Sequence, residues 1–159
     1  MARKYRLVHD PILTRWLMAN FPFGTYQINV RLGAVKKEFL QAVPAKYSKV
    51  GELVKHIADA VVIWDGKVRI IECVVRPADW DKMFQLEIYE DAFRKTEKFK
   101  KYWDWPIEKI FLTTETDPYM ESQAAKRGIK VVKYRPKEIE AYLGSLRKRQ
   151  QTPKGGALE

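Results

Sequence analysis

A dipeptide typical of tight turns, Asp65-Gly66, separates two apolar segments and predicts a β-hairpin. Aspartate followed by glycine favours the type I′ turn, because both central residues of that turn adopt a positive φ angle. The segment before the turn begins at His56, and the segment after it extends to Val74. We therefore expect two antiparallel strands joined by a two-residue turn.

Each strand of this hairpin carries one carboxylate among apolar neighbours, Asp59 in the first strand and Glu72 in the second. A two-residue turn makes Trp64 face Lys67 and places Asp59 opposite Glu72, whereas a three-residue turn would place Asp59 opposite Cys73. Facing residues lie about 5 Å apart at Cβ, where like charges are destabilising. A facing pair of carboxylates therefore requires a cation or a shared proton. Solvated strand ends are the alternative interpretation of the two acids.

The composition is typical of a protein with one hydrophobic core. The chain has 159 residues, of which 46% are hydrophobic and 31% charged. We expect one domain over residues 1–150 and a disordered tail over residues 151–159. No apolar run is long enough to span a bilayer, and the N-terminal residues lack the apolar stretch of a signal peptide. We therefore expect a cytoplasmic protein with no membrane partner.

A formal net charge of +10 favours a polyanionic partner. Basic residues concentrate near the N-terminus and in the segments 94–101, 126–137 and 147–149. Tyr102, Trp103 and Trp105 adjoin the second of these groups, which suits stacking on bases as well as neutralisation of phosphates. The alternative is a solvated helix face with its aromatic residues turned into the core. We expect nucleic acid as the partner, and an acidic protein is the other class that the charge allows.

Hydrophobic periodicity predicts the order of the elements. We expect a helix capped by Asp10-Pro11 and ending near Asn20, a strand at 26–32, the hairpin, a helix over 80–103, a strand at 110–113, a helix at 118–127 stopped by Gly128, a strand at 129–134 and a helix from 136 to about 148. Residues 34–55 are expected to contain short helical pieces. This order predicts an α/β fold with three layers, in which helices flank a mixed central sheet built around an antiparallel hairpin.

Two of these predictions specify which side chains face the core. In the first strand we expect Tyr26, Ile28, Val30 and Leu32 to share one face. In the long helix we expect an apolar stripe of Phe84, Ile88, Ala92, Phe99 and Trp103.

The segment 57–93 and the order of elements around it resemble the PD-(D/E)XK nuclease superfamily, in particular its RecB-like exonuclease branch. Ala58-Asp59-Ala60 resembles the first acidic motif, Ile71-Glu72-Cys73-Val74 the second, and Gln85 to Tyr89 the helical Gln-x-x-x-Tyr motif. The resemblance covers under half of the chain directly. It implies a restriction-endonuclease-like fold and a Mg²⁺- or Mn²⁺-dependent nuclease that hydrolyses phosphodiester bonds of nucleic acid, DNA first among them.

The resemblance also implies the residues of the site. Asp59, Glu72 and the carbonyl group of Cys73 would bind the metal ion. Asp59, Glu72, Gln85 and Lys82 are our candidate catalytic residues, and Tyr89, Arg76, Arg94, Lys98 and Lys101 are our candidate nucleic-acid-binding residues.

One position departs from the family pattern, because Val74 stands where the resemblance implies a water-activating lysine. Arg76 shares a strand face with Val74, but arginine is a poor substitute for that amine. Lys82 is the candidate that would reach back to the site. The alternative is a catalytically degenerate nuclease-fold protein that serves as a nucleic-acid-binding or assembly module, and a protein partner that completes the site is a further expectation.

Several other catalytic patterns are absent from the sequence. The chain has no phosphate-binding GxxxxGK[ST] loop, no GxGxxG, no HExxH and no GxSxG nucleophile turn. Nucleotide hydrolysis on such a loop, dinucleotide redox chemistry, zinc proteolysis of that type and that form of serine chemistry therefore have no support. His56 precedes the Asp59 strand directly and does not match the histidine of RecB-like proteins by spacing.

Overall fold

A five-stranded mixed sheet organises residues 3–33, 56–141 and 143–144, which are the residues that this computed structural model describes. The strands are β1 (Tyr26–Leu32), β2 (His56–Trp64), β3 (Lys67–Val74), β4 (Ile107–Thr113) and β5 (Ile129–Lys133). They lie side by side in the order β1-β2-β3-β4-β5. The β1–β2 and β2–β3 pairs are antiparallel, and the β3–β4 and β4–β5 pairs are parallel.

Within the described residues, three α-helices and three 3₁₀ segments with defined bounds accompany the sheet. The helices are α1 (Arg3–Asn20), α2 (Gln85–Phe93) and α3 (Pro118–Lys126), and the 3₁₀ segments are Pro77–Phe84, Glu97–Tyr102 and Lys137–Ile139. Among the described residues, no helix is both long and apolar enough to pass through a bilayer.

The sheet has a hydrophobic core on each face. Residues of α1 pack on one face with side chains such as Ile71, Ile110 and Leu112. Residues of α2 and α3 pack on the other face, where Phe93 and Phe111 are fully buried. The predicted α/β fold with three layers and an antiparallel hairpin inside a mixed sheet is therefore confirmed.

The hairpin turn has the two residues that the sequence predicts. Trp64 pairs with Lys67, and the register continues from there to the Ala60–Ile71 pair. Asp65 and Gly66 have φ angles of 54° and 70°, as a type I′ turn requires. The alternative register with a three-residue turn is therefore excluded.

The prediction of one continuous helix over residues 80–103 is wrong. A 3₁₀ segment leads into the nine residues of α2, and a second 3₁₀ segment follows after Thr96. Thr96 has an extended backbone (φ −90°, ψ 106°). Its hydroxyl donates to the Ala92 carbonyl at 2.8 Å and accepts from the Gly33 amide at 2.9 Å. The helix ends here because Thr96 bonds with its side chain to the last turn and to the end of β1.

The predicted apolar stripe of this segment is wrong at two positions. Ile88 is 48% exposed, and Phe84 is also exposed. The buried side chains of α2 are instead Leu86, Tyr89, Ala92 and Phe93. Phe84 ends the 3₁₀ segment, which has three residues per turn rather than 3.6, so it does not share the phase of α2. Ile88 lies off the buried side of α2, which follows Leu86, Tyr89 and Phe93 at spacings of three and four residues.

The face predicted for β1 is also wrong, because the strand changes face midway. Tyr26 packs with the α1 side, Val30 and Leu32 belong to the α2 side, and Ile28 is exposed. Between them Asn29 has a φ angle of 51°. A positive φ angle breaks the alternation of side chains, and asparagine tolerates that conformation better than most residues.

The remaining helix predictions have mixed outcomes. The predicted cap of α3 is confirmed, since the Met120 amide donates to Asp117 Oδ1 at 2.7 Å and Gly128 follows the helix with a φ angle of 63°. The predicted start of α1 is wrong, because the helix begins at Arg3 and contains Pro11. A proline within a helix loses one backbone hydrogen bond, so the Asp-Pro pattern alone does not define a start.

The predicted helix from residue 136 begins instead as the 3₁₀ segment Lys137–Ile139, followed by helical residues at 140–141 and 143–144. Its predicted end, the pieces predicted in 34–55 and the predicted tail at 151–159 lie outside the described residues.

We expect Gly66→Ala to lower the free energy of unfolding by about 1–2 kcal/mol, since a Cβ atom is disfavoured at positive φ. No atom lies within 4 Å of the added Cβ position, so backbone strain is the cause. Gly144→Ala is the matched control, because that glycine also has open space and no positive φ angle. Urea denaturation of both variants measures the effect, and equal stabilities would contradict the assigned turn.

Candidate functional site

The candidate site begins where the backbone ladder between β2 and β3 ends. The last backbone pair is Ala60 with Ile71, and Asp59 occupies the next position of β2. The Oδ2 atom of Asp59 accepts a hydrogen bond from the Cys73 amide at 2.7 Å. The rest of β2 still pairs with β1, as far as Leu32 with His56. A carboxylate therefore takes the place of a backbone acceptor at the point where β2 separates from β3.

Glu72 lies beside this hydrogen bond, at the position opposite Asp59 in the register of the hairpin. Its side chain is only 6% exposed and shares the α2 side of β3 with Ile70 and Val74. Burying an ionised carboxylate is costly unless charged or polar groups compensate. Glu72 is therefore an unfavourable residue on a face of β3 that is otherwise apolar.

Tyr89 connects the acidic pair to α2. Its hydroxyl oxygen lies 2.9 Å from the Ile57 carbonyl oxygen and 2.7 Å from Gln85 Oε1. A phenol has a single proton, so these two acceptors compete for it. The two helical residues of the Gln-x-x-x-Tyr motif thus contact each other and the β2–β3 end of the site.

Both carboxylates affect the pKa of the Tyr89 hydroxyl. Burial raises the pKa of the Tyr89 hydroxyl far above its usual range, and the negative charges of Glu72 and then Asp59 raise this pKa further. Tyr89 therefore stays a neutral hydrogen-bond donor.

The site opens toward solvent on the side of Gln85 and His56. Both residues are exposed, and Asp59 is half-buried. The His56 ring lies 6.2 Å from the Tyr89 ring, centroid to centroid. An external molecule would therefore meet Gln85, His56 and Asp59 before the buried Glu72 and Tyr89.

Val74 occupies the strand position at which the resemblance implies a lysine. Its side chain is 3% exposed and belongs to the apolar core on the α2 side. It follows Glu72 on the same strand face, so it occupies the position at which the resemblance implies an amine. The side chain that the structure places there is an aliphatic one, packed in the core.

The side chains of this site that could bind a metal ion are the carboxylates of Asp59 and Glu72. Among the described residues, no group of three or more His, Cys, Asp or Glu side chains is arranged to hold a metal ion. Two carboxylates are nevertheless compatible with Mg²⁺, which is commonly held by one or two carboxylates together with waters and substrate phosphates. The Cys73 thiol is buried on the α1 side, so only its backbone lies toward Asp59.

The other predicted site residues lie around this centre with contacts of their own. Arg76 ion-pairs with Asp79 at 3.0 Å, and Arg94 ion-pairs with Glu90 at 3.3 Å. Lys82 is exposed on the 3₁₀ segment before α2. Lys98 and Lys101 lie over the neighbouring rings of Phe99 and Tyr102. The structure thus brings together Asp59, Glu72, Gln85 and Tyr89, and the roles predicted for the basic residues remain predictions.

The aromatic group near residue 103 packs inward. Tyr102, Trp103 and Trp105 are partly buried against the core on the α2 side. The Trp103 indole donates to the Thr96 carbonyl at 3.2 Å, and the Tyr102 and Trp105 rings meet edge to face at 4.9 Å. Of the two interpretations of these rings, the structure favours packing over stacking on bases.

Three participants of the site were not predicted from the sequence. The Ile57 carbonyl and the Cys73 amide are backbone groups, which no residue type reveals. Asn29 lies opposite Asp59 in the register of β1 and β2, and β1 changes face at its positive φ angle. The sequence signal for this change is the tolerance of asparagine for positive φ.

We expect Tyr89→Phe to lower the free energy of unfolding by about 1–2 kcal/mol, because the change leaves buried acceptors without their donor. Tyr119→Phe is the control, since Tyr119 is 76% exposed and should tolerate the loss of its hydroxyl. Chemical denaturation of the two variants gives the comparison. Equal stabilities would show that the Tyr89 hydroxyl does not hold the site together.

No protein-family model matches the chain. No curated protein matches it significantly either. One solved structure, that of AF1548, a protein of unknown function, is similar at 16% sequence identity with a TM-score of 0.43. The similarity covers 75% of this chain and 53% of that protein, so the chain spans about half of its length.

Proposed function

We propose that this protein is a metal-dependent nuclease that hydrolyses phosphodiester bonds of nucleic acid, with DNA as the first substrate to test. The observation that carries the proposal is the pairing of two carboxylates where β2 and β3 separate: Asp59 accepts from the Cys73 amide and lies opposite the buried Glu72 in the register of the hairpin. Gln85 and Tyr89, the helical motif residues of the resemblance, contact each other, and Tyr89 contacts the Ile57 carbonyl of β2. The net charge of +10 suits a polyanionic substrate.

Each residue of the centre has a part in this proposal. Asp59, Glu72 and the Cys73 carbonyl would hold Mg²⁺ or Mn²⁺. A divalent ion held there would polarise a phosphoryl oxygen and lower the pKa of a bound water. Gln85, on the exposed side, is placed to orient the phosphate or the water with its amide group. Tyr89 acts as a positioning residue, since its hydroxyl contacts both Gln85 and the Ile57 carbonyl of β2.

A second candidate function follows from Val74. Its burial in the core leaves that point of the strand without an amine to act on water, which favours a nuclease fold that binds nucleic acid without cutting it. Such a module would retain salt-dependent binding and form no product with any metal. Incubation with single-stranded, duplex and branched DNA, in Mg²⁺, Mn²⁺ or chelator, separates the two functions.

Asp59→Asn and Glu72→Gln should each abolish Mg²⁺-dependent cleavage while DNA binding is kept or strengthened, because the substitutions remove ligand charge without changing size. Asp91→Asn is the matched control, since Asp91 lies on α2 in an exposed ion pair with Lys95. Product formation is followed on gels with labelled oligonucleotides. Undiminished cleavage by Asp59→Asn would refute the assigned centre.

Metal binding has a readout that does not depend on cleavage. Mn²⁺ should raise the Tm of the native protein and of Asp91→Asn by several degrees, because a ligand that binds only the folded state stabilises it. Asp59→Asn and Glu72→Gln should lose most of this rise. The same rise in all four proteins, measured by differential scanning calorimetry, would place the metal elsewhere.

A further inference from the structure

An arginine and two aromatic rings form a surface at the turn end of the hairpin, on the α1 side of the sheet. We call Phe21, Trp64 and Arg69 the hairpin-end surface. The Arg69 guanidinium carbon lies 5.2 Å from the centre of the Phe21 ring and 5.8 Å from that of the Trp64 ring. The two rings meet edge to face with their centroids 6.1 Å apart. The Trp64 side chain is 38% exposed, so part of this surface faces solvent.

The hairpin-end surface is anchored to the α1-side core. Phe21 contacts Trp16 edge to face at 5.6 Å, and Trp16 is buried among residues of that core. The Phe21 amide donates to the Leu17 carbonyl at 2.9 Å, which holds Phe21 directly after α1. Rings held in this way lose little conformational entropy when a ligand stacks on them.

Arg69 differs from other described arginines in the groups that its guanidinium contacts. Arg15, Arg94 and Arg135 each ion-pair with a glutamate. Arg69 has one hydrogen bond, from Nη1 to the Trp64 carbonyl at 3.2 Å, and it contacts no carboxylate within the part of the chain that the structure describes. A guanidinium group has five N–H donors, so Arg69 can donate to a further acceptor such as a phosphate.

Among the described residues near the hairpin turn, the cations Lys67, Arg69 and Lys130 accompany the carboxylates Asp65 and Glu108. Both lysines ion-pair with Glu108, at 3.3 and 3.6 Å. These five charges sum to +1. An anionic ligand would therefore gain from this field, although salt would screen the gain.

We infer that the hairpin-end surface binds a single strand of nucleic acid, with a base stacked on the Trp64 indole and a phosphate at Arg69. Stacking on a protein ring needs a base face that is not already covered by its neighbours, which single strands provide and duplexes do not. The class of ligand rests on the proposed function. The surface and its preference for single strands are new, and Arg69 lies on the opposite side of β3 from Glu72.

The test is binding of a fluorescein-labelled 15-residue oligothymidine in chelator, followed by fluorescence anisotropy at several salt concentrations. Arg69→Gln and Trp64→Leu should each weaken binding by about 5-fold or more, and Trp64→Phe should keep most of it because a ring remains. Arg15→Gln is the matched control, since it removes the same charge from an ion-paired arginine of α1. It should change the affinity less than about 2-fold.

Each other outcome overturns the inference. If Arg69→Gln and Arg15→Gln weaken binding equally, Arg69 contributes only its charge and makes no specific contact with the strand. Tighter binding of a duplex of the same sequence would exclude the preference for single strands, and no binding by the native protein would exclude the surface. Circular dichroism checks that each variant folds. If Trp64→Leu does not fold, the affinity of Arg69→Gln alone decides whether the surface binds the strand. Because the assay contains no metal, its failure is distinct from a failure of cleavage.

Discussion

The hydrogen bond from the Cys73 amide to the Asp59 carboxylate is the contact on which the candidate site depends. In a regular ladder that amide would donate to a backbone carbonyl and β2 would continue alongside β3. Here a side chain accepts the hydrogen bond, so β2 can leave β3 without an orphaned amide. Near this point the Tyr89 hydroxyl of α2 contacts the Ile57 carbonyl of β2.

This arrangement concentrates unfavourable electrostatics in a small volume. Burying an ionised glutamate near a second carboxylate is costly. Hydrogen bonds compensate in part, and burial together with the two carboxylates raises the pKa of the Tyr89 hydroxyl, which therefore keeps its proton. Perturbed ionisable groups cluster at functional sites. The apolar Val74 next to Glu72 makes this an acidic site without the companion amine that the resemblance implies.

The sequence predicted those parts of the fold that depend on local chemistry. Asp65-Gly66 favours its turn because both residues adopt positive φ angles. The length of this turn then determines the register of the hairpin, including the Trp64–Lys67 pair and the position of both acids. The end of α2 could not be predicted in this way, because Thr96 stops the helix together with the amide of Gly33, 63 residues away in sequence. The same holds for the network around Tyr89, whose partners include a backbone carbonyl of another element. The identities of Gln85 and Tyr89 were visible in the sequence, whereas their contacts depend on tertiary packing.

The change of face in β1 has a consequence for how the protein unfolds. Tyr26 is packed in one core and Leu32 in the other, so a single seven-residue strand is anchored in both outer layers. Loss of the packing on either face would therefore remove part of the support of the same strand. We expect the packing on the two faces to be lost in one cooperative transition, and the change of face at Asn29 lies opposite Asp59.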